Sequence, residues 1–176
     1  MPDSEFSDLL HAARILIVDD ESTICLLMRK AFEKEGYSFI ATASTGKEAM
    51  RKIMESVDEQ EPFDLIILDL LLPGEVSGQD IYTTVSSTID IPIVVISGMD
   101  AKEEQVSALK SLAVEEYFVK PVDTEIFMLK VERILTRRVF RRQIEMVGHR
   151  SQKLFFNVIQ VMAKVLEAKD PYTRFL

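Results

Sequence analysis

The sequence predicts an α/β domain built on a doubly wound, five-stranded parallel sheet, with one long helix after it. Three observations predict it. Short apolar, β-branched runs alternate with amphipathic segments five times between residues 13 and 136. One run, Phe63 to Leu68, is apolar except at Asp64, which is the pattern of a strand buried on both faces. After Asp123 no helix breaker stands before Gly148, so a helical pattern extends from about 124 to 169.

Each element has its own reason. Met1 to His11 is acidic and polar, unlike a signal peptide, and residues 1–12 read as a tail. Arg14 to Val18 is the first strand, ending in Asp19-Asp20. Glu21-Ser22 opens a helix with Ile24, Leu27, Met28, Ala31 and Phe32 inward, ended by Gly36. Cys25 on this helix reads as core or near-core rather than reactive. As a lone cysteine it excludes an internal disulfide and fits a reducing, cytoplasmic setting.

Tyr37 to Ala43 is the second strand. Thr45-Gly46-Lys47 leads into a helix with Ala49, Met50, Ile53 and Val57 inward. Phe63 to Leu68 is the third strand, ending at Asp69 and the Pro73-Gly74 turn. Gly78 to Ser87 is a helix of lower propensity, rich in Thr and Val. Ile93 to Ile96 is the fourth strand, followed by Ser97-Gly98. Lys102 to Leu112 is a helix, and Glu116 to Val119 the fifth strand, meeting Lys120-Pro121. Asp123-Thr124 is a capping pair for the last helix.

Charge divides the chain. Residues 1–129 carry 10 basic against 25 acidic residues, and residues 130–176 carry 11 against 4, within a net charge of -8. Such a division points to two segments with different tasks. The basic part reads first as a solvated helix face. Nucleic-acid binding is the weaker reading, because no recognition module is visible and aromatic residues are sparse among the arginines. No apolar run approaches the roughly 20 residues of a membrane span.

Chemistry collects at the strand ends. Asp19-Asp20, Asp69, Ser97 and Lys120 follow the first, third, fourth and fifth strands. In a parallel sheet these ends share one edge, where open α/β folds bind ligands. Crowded carboxylates repel, and Mg²⁺ prefers oxygen ligands from a few carboxylates and a phosphate. A hydroxyl and an ammonium complete a cradle for a transferring phosphoryl group. Taken singly, Asp20 or Ser22 reads equally as a helix cap, Lys120 as an exposed strand end, and Tyr117 as a half-buried strand aromatic. There is no Gly-rich phosphate loop. Leu71 stands where a haloacid-dehalogenase-like phosphatase would want Asp. His11 and His149 are badly placed for a metal cluster.

Residues 13–136 resemble the receiver domain of a two-component response regulator. The resemblance rests on Asp19-Asp20, the strand from Asp64 to Asp69 with Pro73 beyond it, Ser97-Gly98, Tyr117 and Lys120-Pro121. It implies the flavodoxin-like (βα)5 fold and a phosphoacceptor switch rather than an enzyme. It implies that Asp69 accepts phosphate from a sensor histidine kinase or a small phosphodonor. Mg²⁺ would be held by Asp19, Asp20, Asp69 and the backbone carbonyl of Leu71. Ser97 would bond the phosphoryl oxygens, Lys120 would pair with Asp69 and then with phosphate, and Tyr117 would be the rotamer switch. Pro121 would follow a cis peptide. One departure is Gly78, nine residues after Asp69 where the family usually places glycine at eight, so the Gly74 to Ser77 loop is expected to hold one extra residue. The alternative is a receiver-like scaffold that no longer takes phosphate.

Residues 137–176 are expected to form a helical stalk toward an output domain. Phe140, Ile144, Val147, Ser151, Leu154, Val158, Val161, Val165 and Ala168 follow alternating steps of four and three, a coiled-coil seam. A homodimer, or packing on a further domain, would bury it. Val161 to Thr173 resembles the entry to an HD-GYP domain, which degrades cyclic di-GMP. The metal-binding His-Asp motif of that family is absent from this chain.

Overall fold

The computed structural model describes residues 2–98 and 114–169. The helix expected over Lys102 to Leu112, and Asp170 to Thr173 of the second resemblance, lie outside the described residues. The elements are α1 (Pro2–His11), β1 (Arg14–Val18), α2 (Ser22–Lys34), β2 (Phe39–Ala43), α3 (Gly46–Asp58), β3 (Leu65–Asp69), α4 (Gly78–Thr88), β4 (Ile93–Ser97), β5 (Glu116–Val119) and α5 (Thr124–Lys169). All four strand pairings are parallel, and the sheet order is β2-β1-β3-β4-β5. The order reverses between β1 and β3, so the chain winds outward from that crevice on both sides.

The central strands β1, β3 and β4 are buried on both faces because helices cover both, while the edge strands β2 and β5 are only partly buried. On one face Ile15, Ile17, Leu65, Ile67, Val94 and Ile96 pack with Phe32 of α2 and Phe127, Val131 and Leu135 of α5. On the other, Leu16, Val18, Ile66, Leu68 and Val95 pack with Ala49 and Ile53 of α3 and Ile81 and Val85 of α4. Period-two alternation along each strand divides its residues between these two clusters.

Caps fix where helices begin. Thr45 Oγ1 accepts from the Glu48 amide at the start of α3. Ser77 and Asp80 form a capping box on α4. Asp123 Oδ1 accepts from the amides of Glu125 and Ile126, which anchors α5. The lysine-proline peptide Lys120–Pro121 is cis, as the resemblance implies.

Apart from strand ends that shift by one or two residues, three details differ from the sequence reading. Residues 2–11, read from the sequence only as a tail, are helical, with Leu10 in the core and Phe6 packed against it. Leu27 and Val57 face outward, because the buried lines of their helices run through Cys25 and Phe32 and through Ala49 and Ile53. The N-cap of α2 is Glu21, not Asp20 or Ser22, and its side chain makes no cap bond.

The chain divides by its contacts into Met1–Val139 and Phe140–Leu176. In the first unit, Thr124 to Val139 of α5 lies against the sheet and pairs outward through Lys130 with Glu116 and Arg138 with Asp90. In the second, the described seam residues Phe140, Ile144, Val147 and Val158 are all exposed. Among the described residues, no helix is long and apolar enough to cross a membrane.

Candidate functional site

The carboxyl ends of β1, β3, β4 and β5 bring the predicted residues to one edge. Asp19 directly follows β1, and Asp69 and Ser97 are the last residues of β3 and β4. Strand register sets their neighbours: Asp69 pairs with Ile96, and Ser97 with Val119, one residue before Lys120. The Lys120 amide donates to the Ser97 carbonyl at 2.8 Å, tying the two loops together.

Lys120 is the centre of the arrangement. Its ammonium lies 2.5 Å from Asp69 Oδ2, 2.9 Å from Asp19 Oδ2 and 3.3 Å from Glu21 Oε1. The second carboxylate oxygens are held by backbone. Asp69 Oδ1 accepts from the Leu71 amide at 2.9 Å, and Asp19 Oδ1 from the Glu21 amide at 2.8 Å. These bonds fix the carboxylates before any ligand arrives.

Electrostatics follow from burial. Asp19 is raised above the ordinary aspartate value, chiefly by burial, against the opposing bonds from Lys120 and the Glu21 amide. Burial alone would lower the Lys120 ammonium. Its hydrogen bonds to Asp69 and Asp19, and their charges, outweigh that and hold it above the ordinary lysine value. Lys120 is therefore a fixed cation across neutral pH.

One oxygen each from Asp19, Asp20 and Asp69 falls within 4.8 Å of the others, a separation one cation could bridge. The donor set, all carboxylate oxygen, suits a hard divalent ion such as Mg²⁺. Ser97 Oγ is fully buried and has no hydrogen-bond partner among the described residues. A buried hydroxyl without a partner is uncommon and calls for an explanation. An oxyanion at Asp69 would supply the partner.

The surrounding backbone leaves little slack. A Cβ on Gly78 would stand 2.2 Å from the Asp69 carbonyl oxygen, and one on Gly46 would stand 2.0 Å from the Val76 carbonyl oxygen. Glycine is required at both for close approach. The loop between turns at Gly74, whose φ is +105°. Leu71 is exposed beside the site, and Tyr117 is half-buried on β5 against the second core cluster. An apolar groove of about 760 Å³, floored by Ile24, Met28, Val122 and Phe127, adjoins Lys120 between α2 and α5.

Every residue predicted at the strand ends thus lies on this edge. Sequence reasoning missed Glu21 as a partner of Lys120, and Gly46 as a contact of the loop after β3. A third acid straight after Asp19-Asp20 was the available signal for Glu21. Nothing local marked Gly46.

Residues 15–132 match the family model described as the response regulator receiver domain. Response regulator SaeR of Staphylococcus aureus strain USA300 is 32% identical over 124 residues, covering 70% of this chain and 50% of SaeR. The chain thus spans about half the length of the curated relatives it matches. The signal receiver domain of a putative Luxo repressor protein from Vibrio parahaemolyticus aligns with a TM-score of 0.64 and 24% identity, over 76% of this chain and 98% of its own. Response regulator protein TrrA from Thermotoga maritima, solved in complex with Mg(2+)-BeF, aligns with a TM-score of 0.58 and 33% identity, over 69% of this chain and 98% of its own.

Proposed function

Since this chain belongs to the response regulator receiver family, we propose that it is a phosphorylation switch whose acceptor is Asp69. One observation carries the reading: the buried Ser97 hydroxyl, without a partner among the described residues, stands across the same sheet edge from Asp69, with Lys120 bound to that carboxylate. A phosphoryl group on Asp69 would give that hydroxyl an acceptor and Lys120 a further anionic partner.

The roles follow from the chemistry. An Asp69 carboxylate oxygen attacks the phosphorus of a phosphohistidine on a sensor histidine kinase, or of a small phosphodonor. The oxygen–phosphorus bond forms, the bond to the leaving group breaks, and the leaving imidazole takes a proton from solvent. Lys120 opposes the charge that develops on the phosphoryl oxygens, and Ser97 donates to one of them. Asp19, Asp20, Asp69 and the Leu71 carbonyl would hold Mg²⁺. That ion supplies further positive charge against the phosphoryl group. The product carries roughly 1.5 to 2 negative charges. Ser97, drawn toward them, leaves space into which Tyr117 turns, and the face carrying β5 responds.

Incubation with Mg²⁺ and acetyl phosphate is expected to add one phosphoryl mass to the wild type and none to Asp69→Asn. Equal labelling of both would overturn the assignment.

The helical segment is proposed to carry the switch onward as a homodimeric stalk toward an output module. The exposed seam of Phe140, Ile144, Val147 and Val158 supports this. The resemblance of Val161 to Thr173 to an HD-GYP helix favours a cyclic di-GMP phosphodiesterase as the output. Val147→Glu is expected to shift the chain from dimer to monomer in sedimentation. A wild type that sediments as a monomer at high micromolar concentration would remove the stalk's dimeric role.

A further inference from the structure

The Lys120 ammonium has three N–H donors and meets three carboxylates. Two of them, Asp19 and Asp69, belong to the cluster whose oxygens can hold a divalent cation, and Glu21 does not. Lys120 and such a cation therefore compete for the same two side chains. Asp69 Oδ2 and Asp19 Oδ2 are already within 2.9 Å of the ammonium.

Glu21 is placed to resolve that competition. It occupies the N-cap of α2, yet its carboxylate makes no cap bond and reaches toward Lys120 instead, at 3.3 Å. Its amide, bonded to Asp19 Oδ1, anchors it beside the site. Its side chain is 59% exposed, so its charge stays hydrated while it pairs.

We propose that Glu21 is a positioning residue: it holds the Lys120 ammonium when Asp19 and Asp69 take a divalent cation. Lys120 then stays within reach of the group transferred to Asp69 rather than swinging into solvent. The inference rests on the metal-assisted phosphoacceptor reading above.

Glu21 could also favour a cation simply by its charge, and the test separates the two. Mg²⁺ affinity is measured by titration calorimetry, at fixed ionic strength, for the wild type and for Glu21→Gln, Glu21→Asp, Lys120→Ala and the double variant Glu21→Gln with Lys120→Ala. Glu21→Gln is expected to weaken Mg²⁺ binding about three- to fivefold, the scale of an exposed ion pair. Lys120→Ala removes the competitor and tightens binding. In that background Glu21→Gln is expected to change affinity by less than about twofold, because screened charge alone remains.

Equal weakening in both backgrounds would show that Glu21 acts on the ion by charge alone, and would overturn the proposal. Glu21→Asp gives the same discrimination without touching Lys120. It keeps the charge but shortens the reach by one methylene, so it should behave like Glu21→Gln, and wild-type affinity in Glu21→Asp would overturn the positioning role. A folded wild type that binds no Mg²⁺ at all would overturn the metal reading and this inference with it. Intact Mg²⁺ binding with unlabelled Asp69 would count against the phosphoacceptor reading alone.

Discussion

Along β3, Leu65 to Leu68 are buried among apolar side chains, and one residue later Asp69, equally buried, meets Asp19 and Lys120. The same change occurs from Val18 to Asp19 at the end of β1. In the interior each strand residue gains by leaving water, at about 25 cal/mol per Å² of apolar surface. At the edge, burial acts against the charged form, as the raised pKa of Asp19 records. Lys120 offsets part of that, and the Ser97 hydroxyl has no partner among the described residues. The interior is satisfied by itself. At the edge, charged groups are held by one another and the Ser97 hydroxyl has no partner among the described residues, as a site awaiting a ligand would require.

The sharpest way to separate the two regions is to damage the interior alone. Ile66→Ala opens a cavity in the centre of the sheet, where Ile66 is fully buried. It should lower stability by about 2–5 kcal/mol in urea denaturation. Phosphorylation per folded molecule should be unchanged. Loss of labelling in the folded fraction would mean that interior packing positions the site more tightly than the comparison allows.

A smaller effect runs the other way at the edge. With its pKa raised above 3.8, the folded chain binds the Asp19 proton more tightly than the unfolded chain does. Stability from this group is therefore lowest at neutral pH. It is recovered as pH falls through the folded pKa toward 3.8. Asp19→Asn should accordingly be more stable than the wild type at pH 7 in a chelator. The advantage should shrink as the solution is acidified. Denaturation curves in which the variant is less stable at neutral pH would show that the bonds from Lys120 and the Glu21 amide outweigh burial.

Much of this division is legible in the sequence. Continuous apolar runs such as Ile93 to Ile96 are buried whichever face they present, so strand positions and burial follow without fine register. The strand-end acids are legible because each interrupts such a run at its end. Helix orientation is less so, since Leu27 and Phe32 are both apolar and only packing selects which one faces the core. The helix Pro2–His11 escaped notice because its few apolar residues are set among acids, and its burial depends on α2 and α5. Glu21 was passed over although it directly follows Asp19-Asp20, because its partner Lys120 lies 99 residues away.

The central claim is that the edge gains its missing partners from a phosphoryl group on Asp69. The most direct test is the thermal midpoint of the wild type and Asp69→Asn, each alone, with Mg²⁺, and with Mg²⁺ plus beryllofluoride, a phosphoryl mimic. Ligands that bind only the folded state raise its midpoint. We expect beryllofluoride to raise the wild-type midpoint beyond Mg²⁺ alone and to leave Asp69→Asn unmoved. An equal rise in both proteins, or none in the wild type, would contradict the claim.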